Sequence, residues 1–339
     1  MLVHEVGEFE LIARLERILP QTGRGVVKAI GDDCAVLDLP RELTVWTTDT
    51  CIEGVHYLPY LATPHQIGRK ALLANLSDIA SMGATPRYAT LSLSAPPEAE
   101  VSWIEELYRG IADLAAEYEV AVVGGNTSRS PHGLRLDIGV LGTVAPGELL
   151  RRDTAEAGDL VLVTGSVGDA YCGLECVFNP TLPVEPRLRT ALIERYRSPS
   201  PHLKSARVIA SSGIATSMID ISDGLAADLG HLCDASQVGV ELRAADLPIS
   251  EDVARFAAYT DQDPWQYALI GGDDYGLLLT ARADRAAELV EEVRESTGDI
   301  LTVFGTVTSD PRRLLHLPDG RVERLTSKGW NHFQGEEDA

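Results

Sequence analysis

The residues with the clearest capacity for chemistry are aspartates set in short turns at the ends of apolar segments. They stand in Gly31-Asp32-Asp33, Thr47-Thr48-Asp49, Leu76-Ser77-Asp78, Asp220-Ile221-Ser222-Asp223-Gly224 and Gly271-Gly272-Asp273-Asp274, and Gly124-Gly125-Asn126-Thr127 repeats the form with an amide. Taken singly, each reads as a helix cap or turn former whose oxygen accepts orphan backbone N–H groups. Together they carry more weight, because ligand sites in mixed α/β proteins assemble at strand ends. Carboxylates that converge repel one another: two unit charges about 4 Å apart, at an effective dielectric of about 20, oppose each other by roughly 4 kcal/mol. A cluster of four or more therefore needs cations. Hard oxygen donors from Asp, Ser and Thr suit Mg²⁺ rather than zinc or copper, and Mg²⁺ favours substrate phosphates as its remaining ligands.

Glycines supply a second ingredient. Gly124-Gly125, Gly165 with Gly168, and Gly271-Gly272 allow backbone N–H groups to approach a phosphate closely. The chain has no GxxxxGK[ST] sequence and no protein-kinase HRD or DFG set. Phosphoryl chemistry here would need another scaffold.

The elements that must position these turns can be read from periodicity. Residues 26–39 read as two short strands around Gly31-Asp32-Asp33, and 43–48 as a β-branched strand running into Asp49. A helix is expected over 64–83, ended by Gly83 and Pro86. Val101, Ile104, Leu107, Tyr108, Ile111, Leu114, Ala115 and Tyr118 recur at three- and four-residue steps, the clearest amphipathic helix in the chain. It leads to a strand at 120–123, then to Gly124-Gly125-Asn126 read as a turn, and a further strand over about 134–144. Pro146-Gly147 breaks the pattern and divides the chain into domains 1–146 and 147–339. The second half alternates again, with helices near 201–211 and 225–236 and strands near 239–242, 275–280 and 300–306.

Composition narrows the partners. The 339 residues are enough for two cores, and 45% hydrophobic with 24% charged residues is ordinary for a globular chain. A net charge of −22, from 29 basic and 51 acidic residues, repels nucleic acid and anionic membranes. It repels a phosphate ligand too, unless cations intervene. No apolar run approaches the roughly 18 to 20 residues of a membrane span. Glu5, Glu8 and Glu10 in the first segment do not fit a signal peptide, so a cytoplasmic location is expected. Cys34, Cys51, Cys172, Cys176 and Cys233 form no CxxC pair and are expected to be small buried hydrophobes.

The segments GEFELIARL, AIGDDCAVL, TTDTCIEGVHYL, RKALLANLSDIASMGATPRY, VVGGNTSRS, VTGSVGDA, MIDISDGLAADLGHL, IGGDDYGLLLT and SKGWNHF, in this order over most of the chain, resemble the thiamine-monophosphate kinase family. Its superfamily includes aminoimidazole-ribonucleotide synthetase, selenophosphate synthetase and a hydrogenase maturation protein. The resemblance implies a two-domain aminoimidazole-ribonucleotide synthetase-like fold of α+β and α/β character. The N-terminal sheet would form the core of a homodimer, and a C-terminal α/β domain would close the active site. It implies ATP as phosphoryl donor, thiamine monophosphate as acceptor, thiamine diphosphate as product and several Mg²⁺ ions. Matching motifs would give Asp33, Thr47, Thr48, Asp49, Asp78, Asn126, Asp220 and Asp223 to metal, with Asp49, Asp78 and Asp220 central to catalysis. Tyr108, Gly125, Asn126, Arg152 and Ser222 would meet ATP, and His56, Asp273 and Trp330 the thiamine moiety.

Three positions depart from the family pattern. Asn126 stands where an aspartate is usual, Asp273 where a glutamate is usual, and Gly276 supplies no carboxylate where the family has one. Two rival readings follow: another ATP-dependent activity of the same superfamily, and a non-catalytic Mg-nucleotide-binding subunit.

Overall fold

A computed structural model describes residues 1–6, 8–30, 35–39, 42–326 and 329–330. The chain forms two compact units: residues 1–79 with 84–146, and residues 80–83 with 147–339.

The first unit contains α1 (Val3–Val6), α2 (Glu8–Glu16), β1 (Val26–Lys28), β2 (Val36–Leu37), β3 (Leu43–Ile52), α3 (Pro64–Ser81), β4 (Thr85–Ala95), α4 (Val101–Glu117), β5 (Ala121–Arg129) and β6 (Arg135–Val144). Strands β1 and β2 pair antiparallel; residues 31–34 between them, including Asp33, lie outside the described residues. The other four strands form a sheet in the order β3-β6-β4-β5. One face of this sheet is apolar, with Leu91, Leu93, Leu136, Ile138 and Val140 buried, and Ile79 of α3 lies against it at Gly142. The periodicity of α4 is realised: Ile104, Leu107, Ile111 and Leu114 are all buried. On the opposite face Tyr88, Ala121 and Val123 are buried against Val26 and Leu37, while Thr48, Thr90 and Trp46 are exposed, Trp46 to 79%.

Two sequence expectations are corrected. Strand β3 does not stop at Thr48 but continues through Asp49 to Ile52, because each of its ten residues pairs with β6. Gly124-Gly125-Asn126 is not a turn but the middle of β5, paired parallel with Thr90, Leu91 and Ser92 of β4. A Cβ at Gly125 would come within 2.1 Å of the Leu91 carbonyl oxygen, so this glycine serves close backbone approach rather than a bend.

The second unit contains β7 (Leu160–Thr164), α5 (Asp169–Phe178), α6 (Pro186–Arg197), α7 (Leu203–Ser212), β8 (Ala215–Asp220), α8 (Leu225–Ser236), β9 (Gly239–Arg243), α9 (Glu251–Thr260), α10 (Pro264–Ile270), β10 (Leu277–Ala281), α11 (Ala286–Thr297), β11 (Leu301–Thr308), β12 (Arg313–His316) and β13 (Val322–Arg324). Its sheet has the order β13-β12-β9-β11-β7-β10-β8 and is antiparallel except between β12 and β9. Val161, Val163, Leu278 and Phe304 of the sheet pack with Leu225, Leu229 and Leu232 of α8 in the main core. Cys172 and Cys176 share one face of α5 and are buried with Leu188, Leu192 and Phe256, as expected of small hydrophobes. Among the described residues no helix is long and apolar enough to cross a membrane.

Candidate functional site

In the first unit the sheet itself sorts the predicted residues. Side chains alternate across β3, so Thr47 and Asp49 fall on the helix-covered face and Thr48 on the open one. There the Thr47 hydroxyl donates to the Asp78 carboxylate of α3, while Thr48 donates to the Ile138 carbonyl oxygen at 3.1 Å. Asp49 lies beside Asp78, and burial first, then the Asp78 charge, raises its carboxyl to about 6. Thr47, Asp49 and Asp78 are thus one cluster.

Asn126 is not part of that cluster within the unit. It pairs in register with Ser92, Asp137 and Thr50, a row on the open face, where Thr50 donates to Asp137 at 2.5 Å. Asp49 lies in the adjacent row with Ile138, Leu91 and Gly125, on the other face. Three inter-strand steps of about 4.8 Å also separate β3 from β5, roughly 14 Å. Tyr108 is buried in α4, 3% exposed, and burial pushes its phenol well above the ordinary value. His56 sits in an exposed loop after β3, where its Nδ1 accepts the Ile52 N–H at 3.1 Å, so the ring proton is on Nε2.

In the second unit five predicted residues gather at one end of the sheet. Asp220 is the last residue of β8, and the turn after it leads into α8. The carbonyl oxygens of this turn accept from three distant N–H groups: Ile221 from Tyr275 at 2.8 Å, Ser222 from Asp273 at 2.9 Å, and Asp223 from Trp330 at 3.1 Å. A Cβ on Gly272 would stand 2.5 Å from the Ser222 carbonyl oxygen, so glycine there permits the approach. Asp220, Ser222, Asp223, Asp273 and Trp330 are therefore neighbours through backbone pairing. Arg152 follows a segment that runs beside β8: the Arg151 carbonyl accepts from Met218, two residues before Asp220, at 3.3 Å, and the Arg152 carbonyl accepts from Ser236 at the end of α8 at 2.8 Å.

Three residues in the site regions were not assigned from sequence. Asp228, 3% exposed, accepts from the N–H groups of Ser222, Asp223 and Gly224 at 3.1, 3.2 and 3.1 Å through one oxygen. Burial, with the charges of Asp220 and Asp223, raises it to about 8. Asp274 accepts from Gly168 at 2.5 Å and Ala170 at 3.0 Å at the start of α5; burial raises it to about 7. Asn75, fully buried on α3, has an Oδ1 without a hydrogen-bond partner among the described residues. The available signals were spacings: Asp228 stands one helical turn after Gly224, and Asn75 one turn before Asp78.

The donors fit Mg²⁺. In the first unit they are oxygen atoms of Thr47, Asp49 and Asp78, two carboxylates held together at the cost of a raised pKa. In the second, Asp223, Asp228 and His231 each bring one ligand atom within 4.8 Å of the others. Asp223 is the hard oxygen donor among them, since one Asp228 oxygen is taken by three backbone N–H groups and His231 offers nitrogen. A hard divalent cation is what carboxylates placed this closely accommodate.

The fold and these clusters define a class. The AIR synthase related N-terminal domain model matches residues 31–144 and the corresponding C-terminal domain model residues 156–316. Within that class the chain is 36% identical over 329 residues to the thiamine-monophosphate kinase of Escherichia coli (strain K12), covering 96% of this chain and 98% of the relative. The crystal structure of thiamine-monophosphate kinase from Stenotrophomonas maltophilia K279a superposes with a TM-score of 0.77 at 37% identity, covering 92% of this chain and 95% of that one. A structure of AaThiL complexed with AMPPCP and TMP gives 0.75 at 33% identity, covering 98% and 99%. The chain belongs to the thiamine-monophosphate kinase family.

Proposed function

We propose that this chain transfers the γ-phosphate of ATP directly to the phosphate of thiamine monophosphate, giving thiamine diphosphate and ADP. The observation that carries the reading is the cluster of Thr47, Asp49 and Asp78 in a chain of this family, where acidic side chains are packed together with oxygen donors only. The relative bound to AMPPCP and TMP supports the choice of donor and acceptor.

The acceptor phosphate has a second pKa near 6 and is mostly dianionic at neutral pH, so the nucleophile needs no general base. What the chain must do is bring two polyanions together and hold them in line. Mg²⁺, when bound, neutralises the phosphate charges as they approach. Thr47, Asp49 and Asp78 would hold such ions in the first unit, and Asp220 and Asp223 others in the second, with Asp33, Thr48 and Asn126 as further proposed ligands. Gly125, Tyr108, Arg152 and Ser222 are the proposed ATP residues. For the thiamine moiety, His56 offers its Nε2–H and Asp273 a carboxylate. Trp330, 59% exposed, offers an indole face for the cationic thiazolium.

We place the reaction in a cytoplasmic homodimer. Support for the dimer comes from the open part of one sheet face of the first unit, where Trp46 stands exposed near Thr48 on β3 and Asn126 lies on the same face of β5. A second copy covering that face would bury the indole and enclose both polar residues.

The test is ADP release from ATP with thiamine monophosphate, with and without Mg²⁺. Turnover that requires both supports the proposal. Tight ATP binding with no ADP release would favour the non-catalytic nucleotide-binding reading, and faster turnover with a different acceptor would favour another activity of the superfamily.

A further inference from the structure

The turn after β8 uses both edges of its backbone. Its N–H groups at Ser222, Asp223 and Gly224 converge on one oxygen of Asp228, while its carbonyls at Ile221, Ser222 and Asp223 accept from Tyr275, Asp273 and Trp330. The two sets of bonds share the same peptide planes. Rotating one peptide to release its N–H from Asp228 also turns its carbonyl away from the residue on the other side.

We propose that Asp228 is a positioning residue, holding the metal-binding turn and the thiamine-binding segments of the second unit in one register. The inference deepens the functional reading above and rests on it. Asp228 is 3% exposed, on the buried side of the turn, and acts on the reaction through Asp220, Ser222, Asp223, Asp273 and Trp330. Without its carboxylate, three N–H groups lose their acceptor. The turn is then no longer bound to one conformation, and neither are the two segments that hang from it. A residue serving only as a metal ligand would alter the response to Mg²⁺ alone. One serving only stability would lower the melting temperature and leave the folded fraction with normal constants.

The experiment compares Asp228→Ala and Asp228→Asn in the full chain by hydrogen exchange and by kinetics. In Asp228→Ala, exchange is expected to rise around residues 221–225, 272–275 and Trp330 together. Both the KM for thiamine monophosphate and the half-saturating Mg²⁺ concentration should rise about tenfold, a misplacement effect. Asp228→Asn keeps an acceptor oxygen for the three N–H groups and should recover most of the wild-type exchange and constants. Increased exchange confined to 221–225, or a change in Mg²⁺ dependence with the acceptor KM unmoved, overturns the proposal. Should the alanine variant not fold, native-state exchange of the wild-type chain decides: residues 221–225, 272–275 and Trp330 should open with one common free energy, and separate free energies overturn the proposal. If the wild-type protein releases no ADP with this acceptor, the functional reading fails, and the exchange pattern still judges Asp228.

Discussion

The two acidic clusters solve the same electrostatic problem in opposite ways. In the first unit, Asp49 and Asp78 come from a strand and a helix, and a threonine hydroxyl is the hydrogen-bond donor identified between them. In the second, Asp228 is surrounded by backbone: three N–H groups meet one carboxylate oxygen, and the Asp274 carboxyl is treated likewise by Gly168 and Ala170. One residue type therefore has two uses. Where side chains confront side chains, repulsion remains to be relieved by a cation. Where a carboxyl receives main-chain dipoles, it becomes scaffolding for the turn that carries its neighbours.

Four experiments break or sharpen that contrast. The largest effect is expected at Asp78→Asn, which keeps shape and removes charge: kcat should fall about 10³-fold. Circular dichroism and melting temperature should stay near wild type, since the cluster costs stability rather than supplying it. Near-normal turnover would remove Asp78 from the metal site. Asp274→Ala should do the reverse, costing about 2–4 kcal/mol in urea unfolding because two N–H groups at the start of α5 lose a buried acceptor. An unchanged unfolding midpoint would contradict its scaffolding role.

Trp330→Ala should raise the KM for thiamine monophosphate about tenfold, and Trp330→Phe should restore most of it if ring stacking is what matters. Equal behaviour of the two variants would point to packing instead. The smallest effect is on pH-dependent stability of the metal-free protein. Asp49 has a folded pKa of about 6 against an ordinary 3.8, so the fold favours its protonated form. That contribution is fully present below about pH 4 and is lost as the pH rises through 6. Asp274 and Asp228 extend the loss towards about 7 and about 8. Melting temperature should therefore decline by a few degrees from pH 4 to 6. Asp49→Asn should flatten that segment, and Mg²⁺ should restore stability at pH 7. A wild-type profile in the variant would show that Asp49 is not the group responsible.

Local elements were legible where period and capping agreed. The amphipathic repeat from Val101 to Tyr118 became α4 (Val101–Glu117), and the reading of 225–236 became α8 (Leu225–Ser236). Legibility failed where tertiary pairing overrode local signals. Gly124-Gly125-Asn126 has the composition of a turn, yet the neighbouring strand drew it into β5. Asp228 was passed over because an aspartate inside a helix reads as solvated, and only the returning turn shows its carboxylate to be an acceptor.

By itself the sequence determined which acidic and hydroxyl side chains are available, the oxygen-donor chemistry they offer and the family, because these depend on residue type, order and short spacing. It could not decide which of Thr47 and Thr48 meets Asp78, nor that Asn126 and Asp49 lie on opposite faces of one sheet. Those outcomes depend on strand register, where a shift of one residue exchanges the two faces. Nor could it gather Asp220, Ser222, Asp223, Asp273 and Trp330, since the bonds that do so join backbone groups, and backbone groups are the same at every position.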